Sequence, residues 1–415
     1  MRRTRAEDHG PVRYGPPLPS DGLPVLPELV SVLARAAGRA DGEPVGGGPA
    51  LLGAARGYWE RRGTPAEPGH VVAGPGAPAL LLALTAALGG DVLVPRPCAA
   101  WWAPYARLLG RPVFHVATPA ECGGVPDPFA LLETVRRVRA EGGDPRLLVL
   151  SVADDPTATV APPEVLHEAV EAAAGEGLHL VSDETWRDTL HAPHDTVPVS
   201  PAEMLPEQVT VVSDLAGALL PIGWPAAVAR FPATATGDDL RARVLDVLTA
   251  LGAGVAAPVA AAAAYALTEP EPVTERVAAV VRLHARVADA VHAVVTAAGG
   301  LALPPRAGRH LYVDLGPLRT ALAAHGVGDA QDLEDFLSLR LGMPAPGGHR
   351  FGDELGALRV RLSTDMLLDG TDAQRAACLT SPEPLELPHV HRALALLRSV
   401  FDDLRDDARR WEPPR

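Results

Sequence analysis

Hydrophobic and polar positions along this chain fall into two alternating patterns. Short apolar runs bounded by Gly, Pro or acidic residues read as buried strands at 70–73, 91–94, 112–115, 146–152, 178–182 and 208–212. Between them, 79–88, 101–109, 126–141 and 163–176 have the length and spacing of crossover helices. Strands alternating with helices of that size predict a mostly parallel α/β sheet. The stretch from 237 to about 289 reads as long helices; within it 256–266 is nearly all Ala, where the helix rests on propensity rather than periodicity. From about 293 the pattern changes to strands with fewer crossovers and closes on a helix at 390–410, predicting a smaller α+β unit. The Pro- and Gly-rich start reads as an extended arm. The expected organisation is an arm at 1–28, a large domain at 29–289 and a small domain at 290–415, with no internal repeat.

Composition narrows the partners. With 47% hydrophobic and 21% charged residues the chain fits a soluble globular protein, and a formal charge of −14 argues against nucleic acid or an anionic membrane. Arg2, Arg3 and Arg5 have no apolar stretch behind them, so no signal peptide is expected, and no run approaches the roughly 20 apolar residues of a spanning helix. Cys98, Cys122 and Cys378 are widely separated, which suits a reducing compartment, a cytoplasmic location and no metal site. His191, His194 and Asp195 beside Pro193 read as a polar surface turn, His310 and His349 as scattered, and Asp402, Asp403, Asp406 and Asp407 as the solvated face of the last helix. Neither a Gly-x-Ser-x-Gly elbow nor a Walker phosphate loop occurs.

The candidate chemistry lies in an ordered series of short motifs. Gly74-Pro75-Gly76-Ala77-Pro78-Ala79 forms a Gly-rich turn ahead of a helix, followed by Gly90-Asp91-Val92-Leu93-Val94-Pro95-Arg96-Pro97. Asp155-Pro156-Thr157-Ala158, Asp183-Glu184-Thr185-Trp186, Leu220-Pro221-Ile222-Gly223-Trp224 and Arg361-Leu362-Ser363 come later. In content and order they resemble the class I/II aminotransferases of the pyridoxal-phosphate fold type I superfamily, from about Leu29 to Phe401. The resemblance implies a mixed, mainly parallel seven-stranded sheet flanked by helices, a smaller α+β domain after it, and a homodimer.

It also implies roles that this sequence fills differently. The family's Schiff-base lysine falls on Asp214 if one residue is deleted, or on Ser213 in the ungapped register, and the whole chain has 37 arginines and no lysine. Without an ε-amine, lysine-dependent covalent catalysis is excluded. Around the family's phosphate site lie Gly76, Ala77, Pro78 and Pro221. Pro221 replaces an arginine that would bind the phosphate through charge-assisted bonds, and Pro78 removes a backbone donor. The ring-stacking position falls on Ala99, with Trp101 and Trp102 nearby. Asp155 stands in place of an asparagine that donates to the cofactor's phenolate, and an ionised carboxylate only accepts. Asp183 keeps the place of the aspartate that pairs with the pyridine nitrogen, Trp186 that of a tyrosine, and Arg361 that of the arginine that grips a substrate carboxylate.

No covalently bound cofactor is therefore expected, and pyridoxal phosphate is implied by the resemblance alone. One expectation is a ligand-binding, partner or cofactor-independent protein, in which Asp155 and Asp183 receive the ammonium of an amino acid or amine and Arg361 its carboxylate. The other is an enzyme with altered chemistry on such a ligand, using Asp155, Asp183 and Asp214 as acid and base, or holding pyridoxal or pyridoxamine phosphate noncovalently.

Overall fold

Seven short strands form the central sheet of the structure, a computed structural model that describes residues 12–17, 22–39 and 42–411. They are β1 (Val71–Gly74), β2 (Asp91–Arg96), β3 (Val113–Ala117), β4 (Pro145–Ser151), β5 (His179–Asp183), β6 (Val209–Asp214) and β7 (Ala227–Arg230), in the order β1-β7-β6-β5-β4-β2-β3. β7 runs antiparallel to both neighbours and every other pairing is parallel. Their nearly unbroken apolar runs follow from burial on both faces. This is the expected mixed, mainly parallel seven-stranded sheet. β7 is an addition to the sequence reading: Ala-Val-Ala-Arg is four residues long, and alanine has little preference for strands. Its place between β1 and β6 forms that strand.

The helices on the sheet are α1 (Pro27–Ala36), α2 (Pro49–Arg61), α3 (Ala77–Leu88), α4 (Trp102–Leu108), α5 (Pro128–Ala140), α6 (Pro163–Gly175), α7 (Pro201–Met204), α8 (Ala235–Ala250) and α9 (Ala257–Leu267). Leu80 and Leu84 of α3, Trp102 of α4 and Val244 of α8 share one buried cluster with Val92 and Val94. Leu131 of α5 and Leu166 of α6 pack with Leu148 and Leu150 on another. α1 begins at Pro27, inside the segment expected to be an extended arm, because proline suits the first turn of a helix. Residues 12–17 have no helix or strand; Arg13 N–H donates to Gln331 Oε1 (3.0 Å), and Arg350 Nη1 donates to the Gly15 carbonyl (2.5 Å).

The 27-residue α10 (Glu271–Ala297) leads into a second core with β8 (His310–Asp314), α11 (Arg319–Ala324), α12 (Ala330–Leu341), β9 (Arg359–Ser363), α13 (Asp372–Thr380) and α14 (Pro388–Trp411). The sequence reading expects this part to be rich in strands. Among the described residues it has one antiparallel pair, β8 with β9, set among helices. Leu333, Leu337 and Leu341 recur at a four-residue interval, and in α14 Val390, Leu394, Leu397, Phe401 and Leu404 recur at three or four; all are buried. Among the described residues no helix is long and apolar enough to cross a membrane.

Candidate functional site

The C-terminal ends of β4, β5 and β6 face the β8–β9 pair across a cavity of about 450 Å³. Ser151, Asp183 and Asp214, the last residues of those three strands, line it, in the crevice where open α/β sheets bind ligands. Trp101, Trp102 and Tyr105 add an aromatic wall, Arg309, His310 and Arg361 face in from the second core, and Pro16 and Pro17 close part of the rim.

Asp183 ends the central strand of the sheet. Its Oδ1 accepts from Thr185 N–H (3.0 Å) and its Oδ2 from Trp102 Nε1 (3.2 Å). Burial pushes its carboxyl up to about 6, against those hydrogen bonds, which favour the charged form. Trp102, placed by its sequence near the ring-stacking position, is thus buried in the cavity wall with its indole N–H on Asp183. Ala99 lines the cavity as a small, buried side chain.

Asp214 sits at the mouth of α3. Its Oδ2 accepts from Ala77 N–H (2.7 Å), at the first turn of that helix, and its Oδ1 from Ala216 N–H (3.0 Å). A carboxylate here meets the unpaired amides and the positive end of the helix dipole. Burial nonetheless raises its pKa. Gly76, with φ +98°, makes the turn that brings the two together, a conformation a side chain would strain. Gly76 and Pro78 line the cavity, as does Asp214; Ser213 is buried in β6 outside the lining. Pro221 lines a neighbouring smaller cavity of about 110 Å³ rather than this one.

Asp155 and Arg361 form the third constellation. Arg361 Nη1 donates to Asp155 Oδ1 (2.8 Å) and Oδ2 (3.1 Å), and His310 Nδ1 lies 3.3 Å from Oδ1. Burial opposes ionisation of Asp155, but Arg361 and His310 hold its carboxyl well below the usual carboxylate range. Burial, with Arg361 beside it, lowers His310 to about 4, so the ring is neutral at pH 7. Trp186 meets His310 edge-on at 5.7 Å, and the Arg361 guanidinium lies 4.7 Å from the centre of the Phe351 ring.

Two site residues, and one buried carboxyl group beside the site, escape the sequence reading. His310, there a scattered histidine, opens β8 opposite Asp155, and Arg309 precedes it at the boundary of both cavities. Asp154 is buried, accepts from Ser151 Oγ (2.9 Å) and Thr157 N–H (3.2 Å), and is pushed by burial up to about 7, with Asp155 adding to the shift. The available signal for the first two is the polar pair Arg309-His310 at the start of an apolar run. His191 Nε2 lies 2.9 Å from the Gly308 carbonyl oxygen, and among the described residues no three His, Cys, Asp or Glu side chains are grouped to hold a metal ion.

A model of the family described as aminotransferase class I and II matches residues 34–333. The chain belongs to that family. This aminotransferase-family chain is 32% identical over 226 residues to a probable aspartate/prephenate aminotransferase of Thermus aquaticus, covering 53% of this chain and 49% of that protein. The chain thus spans about half the length of that curated relative. Among solved structures it is similar to aspartate aminotransferase from Thermus thermophilus with maleate, at TM-score 0.72 and 23% identity over 94% of this chain and 90% of that one. It is also similar to an aromatic aminotransferase from Pyrococcus horikoshii OT3, at TM-score 0.73 and 18% identity over 94% and 95%. At those identities the likeness carries the fold, and the mixed seven-stranded sheet is that of fold type I aminotransferases.

Proposed function

We propose that this member of the class I/II aminotransferase family lacks the catalytic lysine, forms no Schiff base with pyridoxal phosphate, and binds a small molecule noncovalently in the cavity between Asp183 and the β8–β9 pair. The observation that carries this reading is the Asp214 carboxylate on the Ala77 amide, in a chain with no lysine. Further features support it. The residues present do not fit pyridoxal phosphate: a carboxylate occupies the helix terminus that would receive its phosphate, Pro221 supplies no charge, and Asp183 has both oxygens engaged by Thr185 and Trp102. An added phosphate would face Asp214 as a like charge. Arg361 is likewise engaged by Asp155, so a ligand carboxylate there has to compete with an internal one.

The test is titration of purified protein with pyridoxal phosphate, followed by absorbance and by borohydride trapping. No aldimine band and no covalent adduct are expected, and no transamination of common amino acids; transamination by the unmodified chain would overturn the proposal. The combined variant Asp214→Lys, Pro221→Arg, Asp155→Asn is expected to regain cofactor binding.

A second reading rests on Asp183, whose pKa of about 6 is close to neutral. In it Asp183 serves as acid and base toward an amino acid or amine without a Schiff base. Turnover abolished by Asp183→Asn in cofactor-free protein would favour it. We further propose, from the family, a homodimer with one large and one small domain meeting near residue 290, and, from three widely separated cysteines, a cytoplasmic location. A monomer in sedimentation at micromolar concentration would count against the dimer.

A further inference from the structure

Two arginines line the cavity, and they differ in how they are partnered. Arg361 is neutralised by Asp155. The Arg309 guanidinium makes no hydrogen bond among the described residues. Its Nε is buried with no partner, and its Nη1 forms only a long ion pair with the buried Asp365 Oδ2 at 3.7 Å, without a hydrogen bond. Ser363 Oγ already donates to that oxygen at 3.0 Å. The arginine side chain is only 18% exposed, so most of its hydration is gone. A guanidinium desolvated without hydrogen bonds is costly, and a carboxylate offering two acceptors is its natural complement.

Its position is fixed from behind. Thr364 N–H (2.9 Å) and Thr364 Oγ1 (3.0 Å) both donate to the Arg309 carbonyl, one residue before β8 begins. The guanidinium lies 5.4 Å from the centre of the Trp186 ring, which lines the same cavity. The same cavity is lined by apolar side chains, Trp101, Trp186, Met343 and Met366 among them. Across the cavity stand Asp183 and Asp214, each with both oxygens already accepting from the protein. They offer a second carboxylate only repulsion.

We infer that Arg309 is the anion receptor of this cavity and that its ligand is an aromatic or bulky apolar monocarboxylate, held without need of an amino group. The inference rests on the proposed function, in that the cavity is free of cofactor.

The experiment is calorimetric titration of the full chain, at pH 7.5, with 3-phenylpropanoate and with its uncharged analogue 3-phenylpropan-1-ol. The wild type should bind the acid roughly tenfold or more tighter than the alcohol, as a charge-assisted bidentate contact provides. Arg309→Gln should erase that preference and leave alcohol binding unchanged, and Arg309→Lys should keep part of it. Equal affinity of the wild type for acid and alcohol, an unchanged preference in Arg309→Gln, or no binding of either probe would overturn the inference. Should Arg309→Gln fail to fold, the wild-type preference and its reduction in Arg309→Lys decide. A separate pyridoxal phosphate titration tells the two failures apart. Stoichiometric cofactor binding refutes the proposed function, while an Arg309-dependent preference for the acid still upholds the receptor.

Discussion

Arg361 on β9 and Asp155 after β4 are 206 residues apart in the chain, yet one guanidinium nitrogen of the first donates to both oxygens of the second. The side chains are 14% and 13% exposed, so each is the other's main source of charge compensation. Arg361→Ala should therefore destabilise the protein by about 3 kcal/mol, because it leaves a buried carboxylate unpaired. Asp155→Ala should cost a similar amount, and the double variant clearly less than the sum. Urea denaturation of the four proteins measures the coupling; strictly additive losses would mean that the pair contributes nothing as a pair.

Opposite pH responses should come from two buried groups. Asp154 is pushed up to about 7, whereas its unfolded counterpart ionises near 4, so its contribution is full below about pH 4 and lost as pH rises towards 7. His284, bonded to Thr364 Oγ1 at 2.7 Å, is lowered by burial to about 4. Its contribution is full above about pH 6.5 and lost as pH falls towards 4. Relative to wild type, Asp154→Asn should gain stability as pH rises from 5 to 8, and His284→Gln should gain it as pH falls from 7 to 4.5. Unfolding free energies across that range check both signs, and profiles parallel to wild type would refute them.

Removing the carboxylate at the mouth of α3 should have two effects. Asp214→Ala gives up an N-terminal cap, at a cost of about 1 kcal/mol. It also frees the Ala77 amide for an external anion. Millimolar inorganic phosphate should then raise the melting temperature of the variant by more than that of the wild type. No phosphate response in a folded Asp214→Ala protein would mean that the helix terminus is closed by something else.

Ala158 holds φ +58°, in the left-handed region that disfavours a side chain, at a position where the resembling motif has glycine. Ala158→Gly should stabilise the protein by about 1 kcal/mol, the strain released on deleting one methyl group. A loss of stability in thermal unfolding would show that the buried methyl contributes more by packing than it costs in strain.

Much of this was legible in the sequence, and the physical reasons are specific. β2, β4, β5 and β6 are doubly covered strands, and such burial forces unbroken apolar runs that stand out from their surroundings. Asp183 was placed at a strand end by the polar residue that closes such a run. β7 lacked that contrast; in the second core the closing helix was legible, whereas α11, α12 and α13 are short and their leucines recur at intervals that short windows overlook. The partners were out of reach for another reason. That Trp102 serves Asp183, that Asp214 caps α3 and that Asp155 engages Arg361 depends on which distant segments the fold brings together. The motif order gave the positions of these residues but not which of them satisfy one another.

Pro16 and Pro17 contribute to the wall of the cavity while belonging to neither hydrophobic core, and the segment before them is tied down at the Gly15 carbonyl by Arg350. A peptide bond cut between residues 12 and 17 would therefore spare both cores and breach the chamber. Protease accessibility of this short stretch thus serves as a reporter of occupancy: a molecule resting against the two prolines shields the backbone there, and its departure exposes it.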